Sequence, residues 1–363
     1  MSDVASAPLS VFESLYQSYQ EALVTNPKSR ARDLAHQLNV SEGALVACRQ
    51  GVDTWLLKAP YQDLLSTLEP LGEVMTITRN EQVVHECHGV YRNVKFMGQD
   101  RQMGLVLTPD IDLRLFMSQW FAGFFVMEKG RESLQFFNKQ GLALHKIYRT
   151  EKTNEPAWRD LIATFRLSIT DVEFDLVQPN ELTQEVLPEG FDLALFSQEW
   201  AALKDVHEYH GMLKRHQLSR TQALEQIGDQ WATKIHPQAI SQAITTAQQD
   251  ASDIMVFVGN PGCIQIYTGS VHKLVNHGPW FNVLDEGFNL HLRNDLVAQA
   301  WVITRPSNDG MITSIEGFNA LGDSVITLFG RRKPGEAELS EWREIVEKVK
   351  AHSYDEEGEN LVV

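Results

Sequence analysis

The chemistry-bearing residues of this chain gather at 205–216, Asp-Val-His-Glu-Tyr-His-Gly-Met-Leu-Lys-Arg-His. On a helix, His207 and His210 are i and i+3, so they share a face with Cβ atoms roughly 5–6 Å apart. A neutral imidazole offers one ring nitrogen as a lone-pair donor, and histidine is the commonest metal ligand. Such a pair at the mouth of a cleft between domains could hold a metal ion, or one side of a haem. The spacing alone suits a solvated helix surface equally well, so the rest of the chain must decide.

Two strand-like stretches carry further candidates. In Asp112-Leu113-Arg114-Leu115-Phe116 the leucines take one face, and Arg114 shares the other with Phe116. A guanidinium beside an aromatic ring suits a flat anionic ligand. A solvated Arg114 paired with Asp112 is the simpler alternative. His85 and His88 point to opposite faces of a strand, which is poor geometry for one metal, whereas His85 and Cys87 share a face. No P-loop, G-x-S-x-G, H-E-x-x-H or dinucleotide-binding glycine pattern occurs in context.

Composition bounds these readings. A chain of 363 residues predicts two domains. The net charge of −16 opposes broad attraction to nucleic acid or anionic membrane. Cys48, Cys87 and Cys263 are widely spaced and contain no C-x-x-C, so neither a disulfide framework nor a zinc–thiolate site is indicated. The first residues lack the basic and apolar regions of a signal peptide. The apolar run Trp120 to Met127 is too short to span a bilayer. The expectation is a cytoplasmic protein that is not embedded in a membrane.

Positioning elements follow from periodicity. Residues 10–26 predict an amphipathic helix, with Phe12, Leu15, Tyr19 and Leu23 at helical spacing. Residues 26–51 resemble a helix-turn-helix, with Ser41 capping the second helix. That helix carries Glu42, and its one basic residue is Arg49, too few donors for reading DNA. From residue 73 the period becomes two, giving hairpins at 73–89 and 133–149 and strands at 104–116. Gly141 fits a positive-φ turn, and Pro156 fits the first position of a helix. Residues 118–130 fit a strand or a helix. Residues 198–251 read as helical. No Lys or Arg occurs between Arg166 and Lys204, which marks an acidic linker at 171–196.

The second half then repeats the first. FNLHLR at 288–293 answers IDLRLF at 111–116. GFNALGDSVITLFG at 317–330 answers FFNKQGLALHKIYR at 136–149, and the Trp342-Arg343 helix answers Trp158-Arg159. A duplication of about 180 residues is too long for a solenoid. The expected fold class is α+β: two repeats, 1–170 and 197–363, each a large antiparallel sheet backed by helices, with a ligand cleft between them.

Fragments across nearly the whole chain resemble the hemin-degrading factor family, the HemS/ChuS type. They include Ala31-Arg32-Asp33-Leu34-Ala35, Ile77-Thr78-Arg79-Asn80, Val84-His85-Glu86, Asp112-Leu113-Arg114-Leu115-Phe116, Gln135-Phe136-Phe137, Leu144-His145-Lys146, Asp205-Val206-His207, Phe257-Val258-Gly259-Asn260 and Gly262-Cys263-Ile264-Gln265-Ile266. The resemblance implies a cytoplasmic protein of bacterial haem uptake with haem (iron protoporphyrin IX) in the cleft. It implies His207 as axial ligand of the iron, Arg114 across the iron and Arg332 near the propionates, with Arg331 next door. His210 stands where many relatives have an aromatic residue, and is an alternative ligand. His85 matches a position proposed for a second haem site. Two functions share these residues. One is a carrier that takes haem from an inner-membrane importer and passes it to an acceptor. The other is an enzyme that opens the ring oxidatively, with Arg114 as its catalytic hydrogen-bond donor. A DNA-binding regulator is a third, disfavoured by charge.

Overall fold

The computed structural model describes residues 11–169, 171–175, 186–205, 208–332 and 335–359. The first half opens with helices α1 (Val11–Thr25), α2 (Ala31–Gln37) and α3 (Glu42–Ala47). Strand β1 (Thr54–Leu56) and helix α4 (Tyr61–Leu65) follow. Then come β2 (Gly72–Arg79), β3 (Val83–Val90), β4 (Lys95–Met97), β5 (Met103–Leu107) and β6 (Asp112–Phe116). This half closes with β7 (Ala122–Glu128), β8 (Arg131–Phe137), β9 (Ala143–Thr153) and α5 (Glu155–Phe165).

The second half repeats that order. It has α6 (Leu193–Ala201), α7 (Glu208–His216), α8 (Arg220–Ile227), β10 (Ala232–Ile235) and α9 (Ala239–Gln249). Strands β11 (Ile254–Asn260), β12 (Cys263–Gly269), β13 (Leu274–His277), β14 (Trp280–Leu284) and β15 (Phe288–Arg293) follow. The half ends with β16 (Gln299–Ser307), β17 (Gly310–Phe318), β18 (Ser324–Gly330) and α10 (Ser340–Glu359). The duplication therefore covers every named helix and strand. Both helical hairpins even share their caps: Ser41 caps α3 and Ser219 caps α8 through side-chain oxygens.

Two local readings change. Residues 118–130 contain a strand, β7, whose register with β8 runs from Ala122↔Phe137 to Glu128↔Arg131. Residues 198–251 are not continuously helical. Gly228 adopts φ +87° and ends α8, and β10 pairs with β16 from Ala232↔Ile303 to Ile235↔Ala300. Four residues are too few to show a period of two, so tertiary pairing decides there. Gly141 and its counterpart Gly322 do take positive φ, at +75° and +80°. Pro156 lies second in α5, behind the capping residue Asn154 and Glu155.

The strands form two nine-stranded antiparallel sheets. One has the order β1-β7-β8-β9-β2-β3-β15-β14-β13, the other β10-β16-β17-β18-β11-β12-β6-β5-β4. The orders are identical once the halves are exchanged. The two compact units show the same exchange. The first comprises Met1–Thr78, His88–Pro179 and Asn260–Cys263; the second comprises Arg79–Cys87, Asn180–Gly259 and Ile264–Val363. Each half thus lends a hairpin tip to the other.

One asparagine seats each tip. Asn80 Oδ1 accepts from Gln82 N and Val83 N at 3.0 and 2.9 Å, and its Nδ2 donates to Val325 O at 2.7 Å. Asn260 Oδ1 accepts from Gly262 N and Cys263 N, both at 3.0 Å, and its Nδ2 donates to Leu144 O at 2.8 Å. Each amide folds its own turn with one end and grips a distant strand with the other. The tips then hold the ends of equivalent strands. Phe116 N donates to Gly262 O at 3.0 Å, and Arg293 N donates to Gln82 O at 2.9 Å. Behind the second unit's strands, Ile240, Ala243, Ile244 and Ala247 of α9 and Trp342, Ile345, Val346 and Val349 of α10 bury one stripe each.

Replacing Asn80 or Asn260 by Ala is expected to cost about 1–3 kcal/mol, because buried carbonyl and amide groups lose their partners. Urea unfolding checks this. Asn276→Ala, at an exposed strand position, should stay within about 0.5 kcal/mol of the parent.

Candidate functional site

Helix α7 runs Glu208–His216, and Val206 and His207 lie outside the described residues. His210 is exposed on this helix, while Tyr209, Met212 and Leu213 are buried. Apolar burial anchors α7, and a buried charge cluster adds to it. The Arg305 guanidinium lies 4.2 Å from the Tyr209 ring centroid, and Trp200 meets the same ring edge-on at 5.2 Å. Arg305 Nη1 donates to Glu316 Oε1 at 2.8 Å and to Ser314 Oγ at 3.2 Å, and Arg220 pairs with the other Glu316 oxygen at 3.5 Å. Burial alone would push the Glu316 carboxyl up, but Arg305 and Arg220 outweigh it and hold it below the usual range. The helix that follows His207 is thus fixed at Tyr209 by a buried charge cluster.

Arg114 stands in the first unit, on β6. Leu113 and Leu115 are fully buried, and Asp112, Arg114 and Phe116 share the opposite, half-buried face. Arg114 pairs with Asp112, as the simpler alternative anticipated. Register extends this face over three strands. Met103↔Phe116, Leu105↔Arg114 and Leu107↔Asp112 pair β5 with β6, and Lys95↔Leu105 and Met97↔Met103 pair β4 with β5. Cross-strand partners project to one side. Met97, Met103 and Leu107 are therefore exposed apolar neighbours of a central guanidinium, with Leu105 and Phe116 half-buried beside them. At roughly 4.8 Å between strands, three strands make a flat apolar surface about 10 Å across. Its cations are Arg114 and Lys95. Such a face can take a planar apolar ligand bearing carboxylates.

The haemin-degrading HemS.ChuX domain model matches the sequence twice, at residues 39–165 and 217–349. The chain belongs to this family. It is 39% identical over 343 residues to the hemin transport protein HemS of Yersinia enterocolitica, covering 93% of this chain and 97% of that one. Among solved structures, it is similar to holo-PhuS, a heme-binding protein from Pseudomonas aeruginosa. That match has 42% identity and a TM-score of 0.88, with 93% of this chain and 99% of the other covered. It is also similar to ChuS, described as an E. coli heme oxygenase, with 38% identity, a TM-score of 0.83, and coverages of 93% and 99%.

The remaining candidates of this HemS-type chain have distinct surroundings. Arg331 pairs with Asp253 at 2.6 Å. Arg332 lies 3.8 Å from Asp309, and its Nη1 is buried without a hydrogen-bond partner among the described residues. The two arginines are thus separated by geometry, and Arg332 has the unsatisfied donor. His85 is fully buried, 5.0 Å from the Phe288 ring, so no part of it reaches the surface in this fold. His145, which spacing alone did not single out, is equally buried, with Nδ1 3.0 Å from Thr78 Oγ1. In α3, Glu42, Gly43, Leu45, Val46 and Ala47 are buried, and Glu42 pairs with buried Lys146. Arg49 is buried too, bound to Asp53 at 2.8 Å. The second helix of the helix-turn-helix pattern is therefore packed inward and offers no reading face to a DNA groove. Its pattern recurs in α7–α8, where the shared His-Gln-Leu at 36–38 and 216–218 sets Arg30 against His210.

The Met and Leu residues around Arg114 were missed from sequence because alternation defines two faces without saying which one is covered. Their exposure was the missing information.

Burial depresses both core imidazoles to about 3, from an ordinary value of 6.5. The unfolded chain therefore takes up protons first as pH falls. The stability these histidines contribute is complete above about pH 6.5 and is lost toward pH 3, by up to about 1.4 kcal/mol per pH unit for each. Urea midpoints measured from pH 7 to pH 4.5 should fall less steeply in His85→Gln and His145→Gln than in the parent.

Proposed function

We propose that this chain is a haem-binding protein of bacterial haem uptake and utilisation, carrying haem and releasing it, or its iron, to later steps. The observation that carries this reading is the apolar three-strand face around Arg114, in a chain whose relatives include the heme-binding PhuS. Burying on the order of 300 Å² of porphyrin contributes roughly 7–8 kcal/mol. That is about micromolar before association entropy is subtracted, so ligation and ion pairing must add to it.

In this reading His207 would hold the haem iron, with His210 as the alternative ligand, and Arg114 would supply hydrogen-bond donors to the bound group. Phe116 packs on the ring, and Arg332 serves a propionate through its unsatisfied Nη1. Haem supplies iron that can bind oxygen or peroxide when one axial side carries only a weak protein ligand. The two repeats, expected at 1–170 and 197–363 with an acidic linker at 171–196, act as the two halves, the second beginning earlier than expected because α6 starts at Leu193. The cytoplasm is the proposed compartment, with an inner-membrane haem importer as donor and a separate protein as acceptor. No helix among the described residues is long and apolar enough to cross a membrane.

A second reading is oxidative ring opening. It is favoured by the likeness to ChuS, described as a heme oxygenase, and by Arg114, a guanidinium held by Asp112 that would supply hydrogen-bond donors beside a bound haem.

Hemin titration followed at the Soret band tests the site. The double variant His207→Ala/His210→Ala should lose at least about tenfold in affinity, on the order of 1.4 kcal/mol. Arg114→Ala should lose only a few-fold, about 1 kcal/mol. An unchanged spectrum in the double variant overturns the ligand assignment. Adding a reductant in air with catalase present separates the two functions. A persistent Soret band supports the carrier, and its replacement by an open-chain tetrapyrrole spectrum supports the enzyme.

A further inference from the structure

His207 stands in sequence between two anchored stretches of chain, and one hairpin anchors both. Before it, Asn308 N, in the turn from β16 to β17, donates to Lys204 O at 2.9 Å. After it, the Arg305 guanidinium of β16 lies 4.2 Å from the ring centroid of Tyr209, in the first turn of α7. The two stretches are also tied to each other. Glu208 N donates to Asp205 O at 3.0 Å, and Glu208 Oε2 accepts from Lys204 N at 3.0 Å. All of these residues belong to the second unit.

Arg305 is itself held from several elements. Its Nη1 donates to Glu316 and Ser314 of β17, and the Trp200 ring of α6 stands 5.8 Å from its guanidinium. Ser314 Oγ donates to the same Glu316 oxygen at 2.9 Å, and Arg220, which opens α8, pairs with the other. One carboxylate thus sets the guanidinium plane, and that plane seats the Tyr209 ring. Arg305 and Glu316 are almost wholly buried. A buried ion pair gains in attraction about what it loses in hydration, so apolar residues of similar volume often serve stability as well. A fixed direction is what they do not supply.

The other repeat shows that the fold does not need this pair. Matching Phe318 to Phe137 at the ends of the paired strands puts Gln135 at the place of Glu316, Ser133 at that of Ser314 and Glu128 at that of Arg305. There Gln135 Nε2 donates to Ser133 Oγ at 3.0 Å. The shared His-Gln-Leu puts Ser29 at the place of Tyr209. The ring, the guanidinium and the carboxylate therefore occur together only in the repeat that carries His207 and His210.

Tyr209 lies between those two histidines in sequence, and it is buried while His210 is exposed. Successive helical residues are turned by about 100°. A first turn free to rotate about its axis would offer either imidazole, whereas a turn pinned at Tyr209 offers one. The flanks that are pinned are those of His207.

We propose that Arg305 is a positioning residue for haem ligation. Held by Glu316 and acting through Tyr209, it makes His207 rather than His210 the imidazole that would hold haem iron. This rests on the haem reading above and deepens it by assigning what selects the ligand.

The test is the hemin affinity of the full chain, read at the Soret band. In the parent, His207→Ala should weaken binding at least about tenfold and His210→Ala less than about twofold. Arg305→Met/Glu316→Leu removes both charges together, so neither is left buried alone. In that background the two histidine replacements should have effects within about twofold of each other, with unchanged far-UV circular dichroism. Tyr209→Leu, which removes the ring and keeps the ion pair, should equalise them in the same way, and it decides the matter alone if the charge-free variant does not fold. Tyr209→Phe, which keeps the ring, should retain the parent's preference for His207. A merely structural role would lower both affinities alike and leave their ratio at the parent's value. That unchanged ratio in Tyr209→Leu overturns the positioning role and leaves the haem reading intact. So does a parent in which His210→Ala costs as much as His207→Ala. A parent with no Soret shift overturns both.

Discussion

Much of this fold depends on two side-chain amides. Asn80 and Asn260 each close a hairpin turn with the oxygen and grip a strand of the opposite repeat with the nitrogen. Neither job is unusual for asparagine in a turn. Done together, they dock the tip of one repeat into the unit built mainly from the other. The docked tips then accept the backbone N–H groups of Phe116 and Arg293. Those residues end the two strands that carry Arg114 and His291. The ends of these two strands are thus set by exchanged turns rather than by the repeat to which they belong.

What could be read from sequence was what is local. Ser41 as a cap, Gly141 at positive φ and the burial of Leu113 and Leu115 beneath Arg114 all follow from short-range chemistry. The duplication was legible because IDLRLF and FNLHLR keep their spacing. The bonds from Asn80 to Val325 and from Asn260 to Leu144 were not, because they join positions far apart in the chain and leave no periodic trace. Strand β10 was too short to show its period. The inward packing of α3 depends on Lys146, a strand residue that meets Glu42 only after folding. The seat of Tyr209 is of the same kind, since Arg305 meets its ring only after folding.

The two repeats keep the frame and vary the chemistry. Where the first repeat has Met103, Leu105 and Phe116 around the Arg114 guanidinium, the equivalent strands of the second have Trp280, Asn282 and Arg293 around the His291 imidazole. The helical hairpins diverge too, with Arg30 at the position of His210. A guanidinium only donates, whereas an imidazole can also offer a lone pair.

The exchanged hairpins have a consequence for ancestry. In a lone repeat of this topology the edge of β3 would lack its present partner, and β4, β5 and β6 of a second copy could supply it by exchange. Symmetry would force both faces of such a pair to be the same. Two copies in one chain are free of that constraint, and a guanidinium and an imidazole stand at one equivalent position.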